Sequence, residues 1–471
     1  MSTKNKNKET CKFSSGKTVA FRSTKNALAF PKTGSSYGQG KSTGMEQTAS
    51  GVIETGFVLK DMLISDSDSE ILRPLAEKVA QIASSDQMNE VIQAWKLLND
   101  LKPVRPVFFC DPENGWNEII TETQMQCTGT LARRWEMVLR KKIFSNDEMQ
   151  DDTPIEAFFD VPYTAMPDDW GLNADFEKTK TDGSAHWDSP VKDYDKDLEK
   201  IDLRMPQIDW DTTNSCLSET QRVFGDILNV RLKGTWWWSL GVTMPFVFLR
   251  GLEKLMFDFY DYPDEAKELL NKISTGHLRK LDWLEQQGLL SLNNDATYVG
   301  SGGYGLVDSL PGQDYSDRVR CKDMWGFADS QETVGVSSEL YEEFIFPYEK
   351  PIMDRFGLTC YGCCEPVNGR WDVIKKHHNL RRVSCSPWAD YEKMAESLGD
   401  KYIFSMKPTP TDLAVVKPDW DRIRKELRHN LEITRDCVVE IIMKDNHTIA
   451  NCPENVVKWC RIVKEEIGLL T

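Results

Sequence analysis

Three thiols and a carboxylate lie within six positions of one short segment, residues 360–365. Cys360, Cys363 and Cys364 precede Glu365, and a short apolar run leads into them. Closely spaced thiols are typical of metal ligands or redox centres, because thiolates bind soft cations well. The alternative is that these residues are small buried hydrophobic side chains in a strand, which explains one cysteine more easily than this cluster. The residue types therefore favour a metal site.

A catalytic zinc ion usually has three protein ligands and one position left open for a substrate atom. Cys363 is the first candidate ligand, and either Cys364 or Glu365 could supply the second. His447 follows the last predicted strand and is the third candidate. The sequence has no His-Glu-x-x-His motif and no second Cys-x-x-Cys pair. It therefore argues against a helix-borne hydrolytic zinc site and against a structural four-thiolate site.

Short apolar runs alternate with longer amphipathic stretches through most of the chain, which is the pattern of a parallel α/β protein. The runs that predict strands are 106–110, 158–162, 231–236, 296–299, 358–361, 382–385, 402–405 and 438–443. Eight strand–helix units fit a (β/α)8 TIM barrel, and a doubly wound open sheet is the alternative. Apolar spacing from about Leu72 predicts an N-terminal helical extension. The long acidic and aromatic stretch at about 146–213 predicts an inserted, lid-like segment.

In such a barrel, functional side chains lie at the carboxyl ends of the strands. The candidate proton donors or orienting groups at these positions are Asp111, Glu113, Lys407 and Asp445. Aromatic residues that could bind substrate, or simply pack the rim of the barrel, are Trp116, Trp236, Trp238, Tyr304 and Trp388. The glycine-rich segment 300–305 matches a dinucleotide-binding motif in spelling, but no helix is predicted after it. We interpret it as a loop that lets a ligand approach the backbone.

The length, charge and composition of the chain limit the classes of protein to which it could belong. The chain has 471 residues and a formal net charge of -16, which argues against nonspecific binding to nucleic acid or anionic membranes. It contains no apolar stretch long enough to span a membrane and no apolar core of a secretory signal, so we expect a cytoplasmic protein. Residues 1–48 are rich in Lys, Ser, Thr and Gly and predict a disordered basic tail. Residues 49–471 would form the barrel domain.

From about Leu72 to its end, the chain is similar to the uroporphyrinogen decarboxylase superfamily. The segments that carry this resemblance are Gly251-Leu252-Glu253, Phe257-Asp258-Phe259, Tyr262-Pro263-Asp264, Pro347-Tyr348, Phe356-Gly357, Ser386-Pro387-Trp388-Ala389-Asp390 and Pro453-Glu454-Asn455-Val456. The resemblance implies an (α/β)8 barrel. It also implies one of two activities: metal-free decarboxylation of a porphyrinogen, or zinc-dependent methyl transfer involving a corrinoid protein or coenzyme M.

The chain differs from each of these two branches at one place. The decarboxylases carry an arginine-rich loop after the first strand, whereas residues 111–116 are acidic here and would repel a substrate with many carboxylates. The methyltransferases carry a His-x-Cys pair after the fifth strand, and Tyr361-Gly362-Cys363 occupies that place, with Tyr instead of His. Cys363 is thus the ligand that the resemblance carries over directly. Asp445 and His447 lie where that branch has its last cysteine.

These observations together predict a zinc-dependent methyltransferase. It would demethylate a small O- or N-methyl compound and pass the methyl group to a separate corrinoid protein, with zinc acting as a Lewis acid. The alternatives are a metal-free decarboxylase of the uroporphyrinogen type and a non-catalytic protein that binds a corrinoid or a metal.

Overall fold

The computed structural model describes residues 53–54, 63–172, 174–177 and 186–470, which belong to one compact unit. The predicted basic tail, residues 1–48, lies outside the described residues. The strands are β1 Ile53–Glu54, β2 Val107–Cys110, β3 Phe158–Val161, β4 Thr164–Met166, β5 Asp175–Glu177, β6 His186–Asp188, β7 Gln207–Ile208, β8 Asn229–Leu232, β9 Trp325–Ala328, β10 Leu358–Tyr361, β11 Leu380–Cys385, β12 Ile403–Met406 and β13 Val438–Met443.

Helices lie before the first long strand and between most of the others. They are α1 Asp66–Ala83, α2 Asp86–Asn99, α3 Trp116–Ile119, α4 Thr130–Phe144, α5 Tyr194–Asp197, α6 Trp210–Phe224, α7 Thr243–Arg250, α8 Leu252–Asp261, α9 Pro263–Gln287, α10 Ser338–Phe344, α11 Phe346–Met353, α12 Trp371–Ile374, α13 Tyr391–Leu398, α14 Trp420–Ile433 and α15 Glu454–Leu470. The predicted N-terminal helices are present as α1 and α2. Within the described residues, no helix is both long and apolar enough to cross a membrane.

A six-stranded parallel sheet forms the centre, in the order β2-β13-β12-β11-β10-β9. A second parallel pair, β3 and β8, stands beside it. Just before β3, the Asp152 N–H donates to Phe108 O of β2 at 2.8 Å, and beyond β8 the Leu240 N–H donates to Phe327 O of β9 at 2.9 Å. The predicted α/β class is therefore confirmed, and the β3–β8 pair is hydrogen-bonded through its flanking residues to both edges of the sheet.

The two faces of the sheet differ in chemistry. One face packs against helices through apolar side chains such as Phe404 and Ile441. On the other face, the register places Ser384, Ser405 and Glu440 side by side. Because residues opposite each other in a parallel pair share a face, polar side chains form a row across the middle of the sheet.

Six of the eight strands predicted from the sequence agree with the structure to within two residues, whereas the run 231–236 overlaps β8 but ends four residues beyond it. The short strands β1, β4, β5, β6 and β7 were not predicted. Residues 296–299 do not form a strand of the sheet, so that prediction is wrong. Their backbone groups are used locally instead: the Val299 N–H donates to Gly303 O, and the Gly305 N–H donates to Thr297 O, at 2.8 and 2.9 Å. The strand that takes the place in the sheet is β9, which the sequence reading missed.

The segment predicted as a lid-like insertion, residues 146–213, contains β3. The rest carries short strands, and its side chains contact helices. The Tyr194 hydroxyl donates to Asp258 of α8 at 2.6 Å, and Asp168 pairs with Lys280 of α9 at 3.0 Å. A role as a lid stays a prediction.

Candidate functional site

The carboxyl ends of the six central strands bring most of the predicted polar residues to one edge of the sheet. Directly or within three residues after these strands come Asp111 and Glu113 (β2), Lys444 and Asp445 (β13), Lys407 (β12), Ser386 (β11), Cys363 and Cys364 (β10), and Asp329 (β9). Because neighbouring parallel strands end at the same edge, these side chains share one region of the molecule.

The two adjacent cysteines differ in exposure. Cys363 is buried, with 5% of its surface accessible, whereas Cys364 is exposed. Their sulfur atoms lie 3.7 Å apart, and the Ser301 hydroxyl donates to the Cys363 sulfur at 3.2 Å. The hydrogen bond between the two thiols raises the pKa of Cys363 and lowers the pKa of Cys364. This hydrogen bond therefore favours deprotonation of Cys364, the thiol that water can reach, over deprotonation of Cys363.

The turn that presents these thiols is held by Gly362 and Glu365. Gly362 has φ = +89°, and a Cβ there would lie 3.0 Å from Val367, so glycine suits this position. One oxygen of Glu365 accepts from the Cys363 N–H and the other from the Ser330 N–H, both at 2.9 Å. Glu365, predicted as a metal ligand, thus has both oxygens hydrogen-bonded to backbone and fixes β9 to the turn.

Lys444 is a buried ammonium that the sequence reading did not select. Its Nζ lies 2.6 Å from Asp445 Oδ1 and 3.8 Å from Glu113 Oε1. Burial alone would lower its pKa, but the nearby Cys363, Tyr298, Asp445 and Glu113 outweigh burial and raise the pKa well above its ordinary value. The site therefore contains a permanent positive charge that balances its thiol and carboxyl groups.

Glu113 and Asp445 both lie beside this ammonium and have unusual backbone conformations. Both are non-glycine residues with positive φ, 50° and 61°. Such conformations cost of order 1–3 kcal/mol and cluster at functional sites. Burial raises the pKa of Glu113 to about 7, Lys444 opposes this effect, and Asp111 and Asp445 add to it. Glu113 can therefore donate or accept a proton near neutral pH.

Asp329 is the second group that the sequence reading missed. It is 2% exposed, and its Oδ1 accepts from the Ser239 hydroxyl at 2.5 Å. Its Oδ2 has no hydrogen-bond partner. Burial raises the pKa of Asp329 well above its ordinary value, and Glu332, Glu365 and Cys363 add to that effect. Burial thus favours the protonated, neutral form of Asp329, near the thiol pair, and one of its oxygens has no partner.

Two more buried oxygens without a partner follow other strands of the same sheet. They are Ser386 Oγ, after β11, and Asn446 Oδ1, after β13. Buried polar atoms in proteins are nearly always hydrogen-bonded, and exceptions often mark the position of a ligand, an ion or water. Three such atoms on one edge of the sheet indicate a polar binding site.

Lys407, a predicted proton donor, lies at the base of this region. It is 5% exposed, and its Nζ donates to the Ser405 hydroxyl. Burial lowers its pKa to about 8, Glu440 opposes this effect, and Lys444 and Arg382 add to it. Lys407 therefore connects the strand ends to the polar row in the middle of the sheet.

The predicted aromatic residues fall into two groups. Trp116 and Trp236 are buried, and their indole N–H groups donate at 2.9 Å to Asp111 Oδ1 and Leu289 O. Tyr304 packs against Phe109 with ring centres 4.9 Å apart. These three are packing residues, although Trp116 also orients Asp111.

Trp238 and Trp388 are the aromatic residues that remain available. Trp238 is partly buried and meets Phe327 edge-on at 5.3 Å, beside the apolar cluster that includes Cys363. Trp388 is 74% exposed. Of the two, Trp238 is the one that packs against the apolar cluster containing Cys363.

The glycine-rich loop does not leave open space for a ligand. A Cβ on Gly303 would lie 2.7 Å from the Arg382 guanidinium, and one on Gly302 would lie 2.9 Å from Ile442. The glycines therefore let the loop pack against side chains of the sheet.

The third predicted metal ligand, His447, is exposed to solvent. Across the described parts of the chain, no three His, Cys, Asp or Glu side chains gather closely enough to hold a metal ion. What the structure brings together is the two thiols.

No protein-family model matches the chain, and no curated protein is significantly similar to it.

Proposed function

We propose that the chain is a methyltransferase that demethylates a small O- or N-methyl compound at the carboxyl ends of its parallel strands. The observation that carries the proposal is the thiol pair beside Asp329, a buried acid with an unpartnered oxygen. We also propose that the eight parallel strands close into a (β/α)8 barrel. The hydrogen bonds that link the β3–β8 pair to β2 and β9 support this closure.

The thiol pair fits a zinc ion in its spacing. Two sulfurs bound to one tetrahedral zinc at about 2.3 Å each would lie about 3.8 Å apart, and these lie 3.7 Å apart. Cys363 and Cys364 are therefore the proposed ligands, whereas Glu365 is occupied by backbone groups. Bound zinc would act as a Lewis acid on the heteroatom that loses its methyl group.

The residues around the thiols supply the rest of the chemistry. An ether or amine leaves poorly unless the departing heteroatom is protonated, and Asp329 is the proposed donor because its free oxygen is buried beside Cys363. Glu113, with a pKa of about 7, would return the proton from solvent. Lys444 holds the negative charge of the pair, and a separate corrinoid protein would accept the methyl group.

Metal analysis of the purified chain tests this proposal. We expect stoichiometric zinc in the wild type, loss of zinc in Cys363→Ser and Cys364→Ser, and retention in Cys452→Ser, a half-buried cysteine elsewhere. Demethylation of methanol, a methoxyphenol or trimethylamine would then be followed by the visible spectrum of added cob(I)alamin carrier. A wild type without zinc would end the proposal. Carbon dioxide release from a porphyrinogen in both thiol variants would instead indicate the metal-free decarboxylase.

A further inference from the structure

Two pairs of thiols among the described residues, Cys110 with Cys460 and Cys363 with Cys364, differ in access to solvent. The Cys110 thiol of β2 and the Cys460 thiol of α15 lie close enough to affect each other's pKa, and each is 1% exposed. In the pair Cys363 and Cys364, the second residue is the one exposed cysteine among the residues that the structure describes. A small oxidant can therefore reach one thiol of this second pair directly.

The two sulfurs of the exposed pair lie close enough for a bond to form between them after a short movement. A disulfide bond is about 2.05 Å long, so a sulfur movement of about 1.7 Å would close the present gap, which is 3.7 Å. Cys363 is anchored on both sides of its Cα: its N–H donates to Glu365 at 2.9 Å, and its carbonyl accepts from the Ser384 hydroxyl at 3.2 Å. The movement would fall on Cys364, at the surface.

We propose that Cys364 is an oxidation site and that Cys363 resolves the oxidised residue into a disulfide between adjacent cysteines. A hydroperoxide is the oxidant. The Cys364 sulfur attacks one peroxide oxygen, the O–O bond breaks, and two electrons pass from sulfur to the oxidant to give a sulfenic acid and a hydroxide or alkoxide. The Cys363 sulfur then attacks Cys364, the S–O bond breaks, and the thiol proton leaves with the hydroxyl group as water.

This reaction has a consequence that depends on the proposed function. The same two sulfurs are the proposed zinc ligands, and a disulfide offers no thiolate to a cation. Oxidation would therefore remove the metal and stop methyl transfer, and reduction by a dithiol would restore both. The disulfide itself forms or fails to form independently of any methyltransferase activity.

The test is peptide mapping of the whole wild-type chain after brief treatment with hydrogen peroxide and blocking of free thiols. We expect the peptide that contains Cys363 and Cys364 to lose the mass of two hydrogens, reversibly with dithiothreitol. The Cys110 and Cys460 peptides serve as the internal control and should stay fully blocked as free thiols. Because this measurement needs no variant, it does not depend on whether a substituted chain folds.

Two variants separate the roles of the thiols. Cys363→Ser should accumulate a sulfenic acid at Cys364 that dimedone labels, and Cys364→Ser should leave Cys363 reduced. Direct conversion of wild-type Cys364 to sulfinic acid, or oxidation of Cys110 and Cys460 first, would overturn the proposal. Zinc-loaded chain should form the disulfide at least tenfold more slowly. Equal rates with and without zinc would reject the shared metal site but leave the disulfide proposal standing.

Discussion

Two polar regions of the sheet are made of similar residues: the polar row in its middle and the polar groups at its carboxyl end. They differ in how many of their buried polar atoms have a hydrogen-bond partner. In the middle, Arg382 lies 2.9 Å from Glu440, and Glu440 also accepts from Ser405. The guanidinium donates further to Asn99 at 2.7 Å. At the carboxyl end, by contrast, Asp329, Ser386 and Asn446 each keep a buried oxygen without a partner.

This difference separates structure from function within one sheet. A buried ion pair that is fully hydrogen-bonded rigidifies the centre of a fold, and it has no capacity left for a ligand. Buried groups that lack a partner destabilise the chain by themselves, and they mark positions where a ligand, an ion or water could bind. The two regions are joined through Lys407, which donates to Ser405.

The largest loss of stability should come from breaking the ion pair in the middle of the sheet. Glu440→Gln leaves the Arg382 charge buried without a counter-charge, and removal of one partner of a buried pair costs about 3–5 kcal/mol. We expect the free energy of unfolding, measured by urea denaturation, to fall by that amount. The control is Asp354→Asn, which removes a carboxylate from a surface pair with Lys350 and should cost less than about 1 kcal/mol. Equal costs in the two variants would contradict the comparison.

A smaller effect should appear at Glu113, as a dependence of stability on pH. The ordinary pKa of this carboxyl is 4.5, and burial raises it to about 7 in the folded chain. Between these values the folded chain holds a proton that the unfolded chain has released. The contribution of Glu113 to stability is therefore complete below pH 4.5 and is lost as the pH rises to about 7.

Glu113→Gln should remove this part of the pH dependence. Because the side chain is 37% exposed, solvent screening limits the effect to on the order of 1 kcal/mol. The measurement is the difference in the free energy of unfolding between wild type and variant at pH 5 and pH 8. Asp151 and Glu349, whose pKa values are raised to about 7 and about 8, contribute equally to both chains and cancel. A constant difference across this range would show that Glu113 titrates normally.

The fold could be predicted from sequence wherever a strand is a continuous apolar run. β10 and β13, both fully or almost fully buried, were predicted with their bounds. β9 was missed because Trp-Gly-Phe-Ala is short and contains a glycine, which weakens a strand signal. Residues 296–299 have the composition of a strand, but the glycines that follow let the chain pair with itself.

The sequence predicted the location of the candidate site better than it predicted the residues that form it. The rule that function lies at strand ends found Cys363, Cys364 and Glu113, because it needs only the strand bounds. Asp329 could not be found in this way, since it follows the strand that was missed. The packing of Trp116 and Trp236, and the backbone contacts of Glu365, depend on tertiary neighbours that the local sequence does not specify.

The smallest change in stability should come from Asp329→Asn, although this residue is as deeply buried as Arg382. Its pKa is raised well above the ordinary value, chiefly by burial, so the folded chain favours its protonated, neutral form. Asparagine is neutral and of the same shape, and its oxygen can still accept from Ser239. We expect the free energy of unfolding at pH 7 to change by less than about 1 kcal/mol, compared with about 3–5 kcal/mol for Glu440→Gln.

Methyl transfer, in contrast, should be lost in Asp329→Asn, because an amide cannot donate the proton that the leaving heteroatom needs. Urea denaturation and the cob(I)alamin assay, applied to the same preparation, measure the two quantities. A variant that is several kcal/mol less stable would show that Asp329 contributes to stability as the hydrogen-bonded groups in the middle of the sheet do.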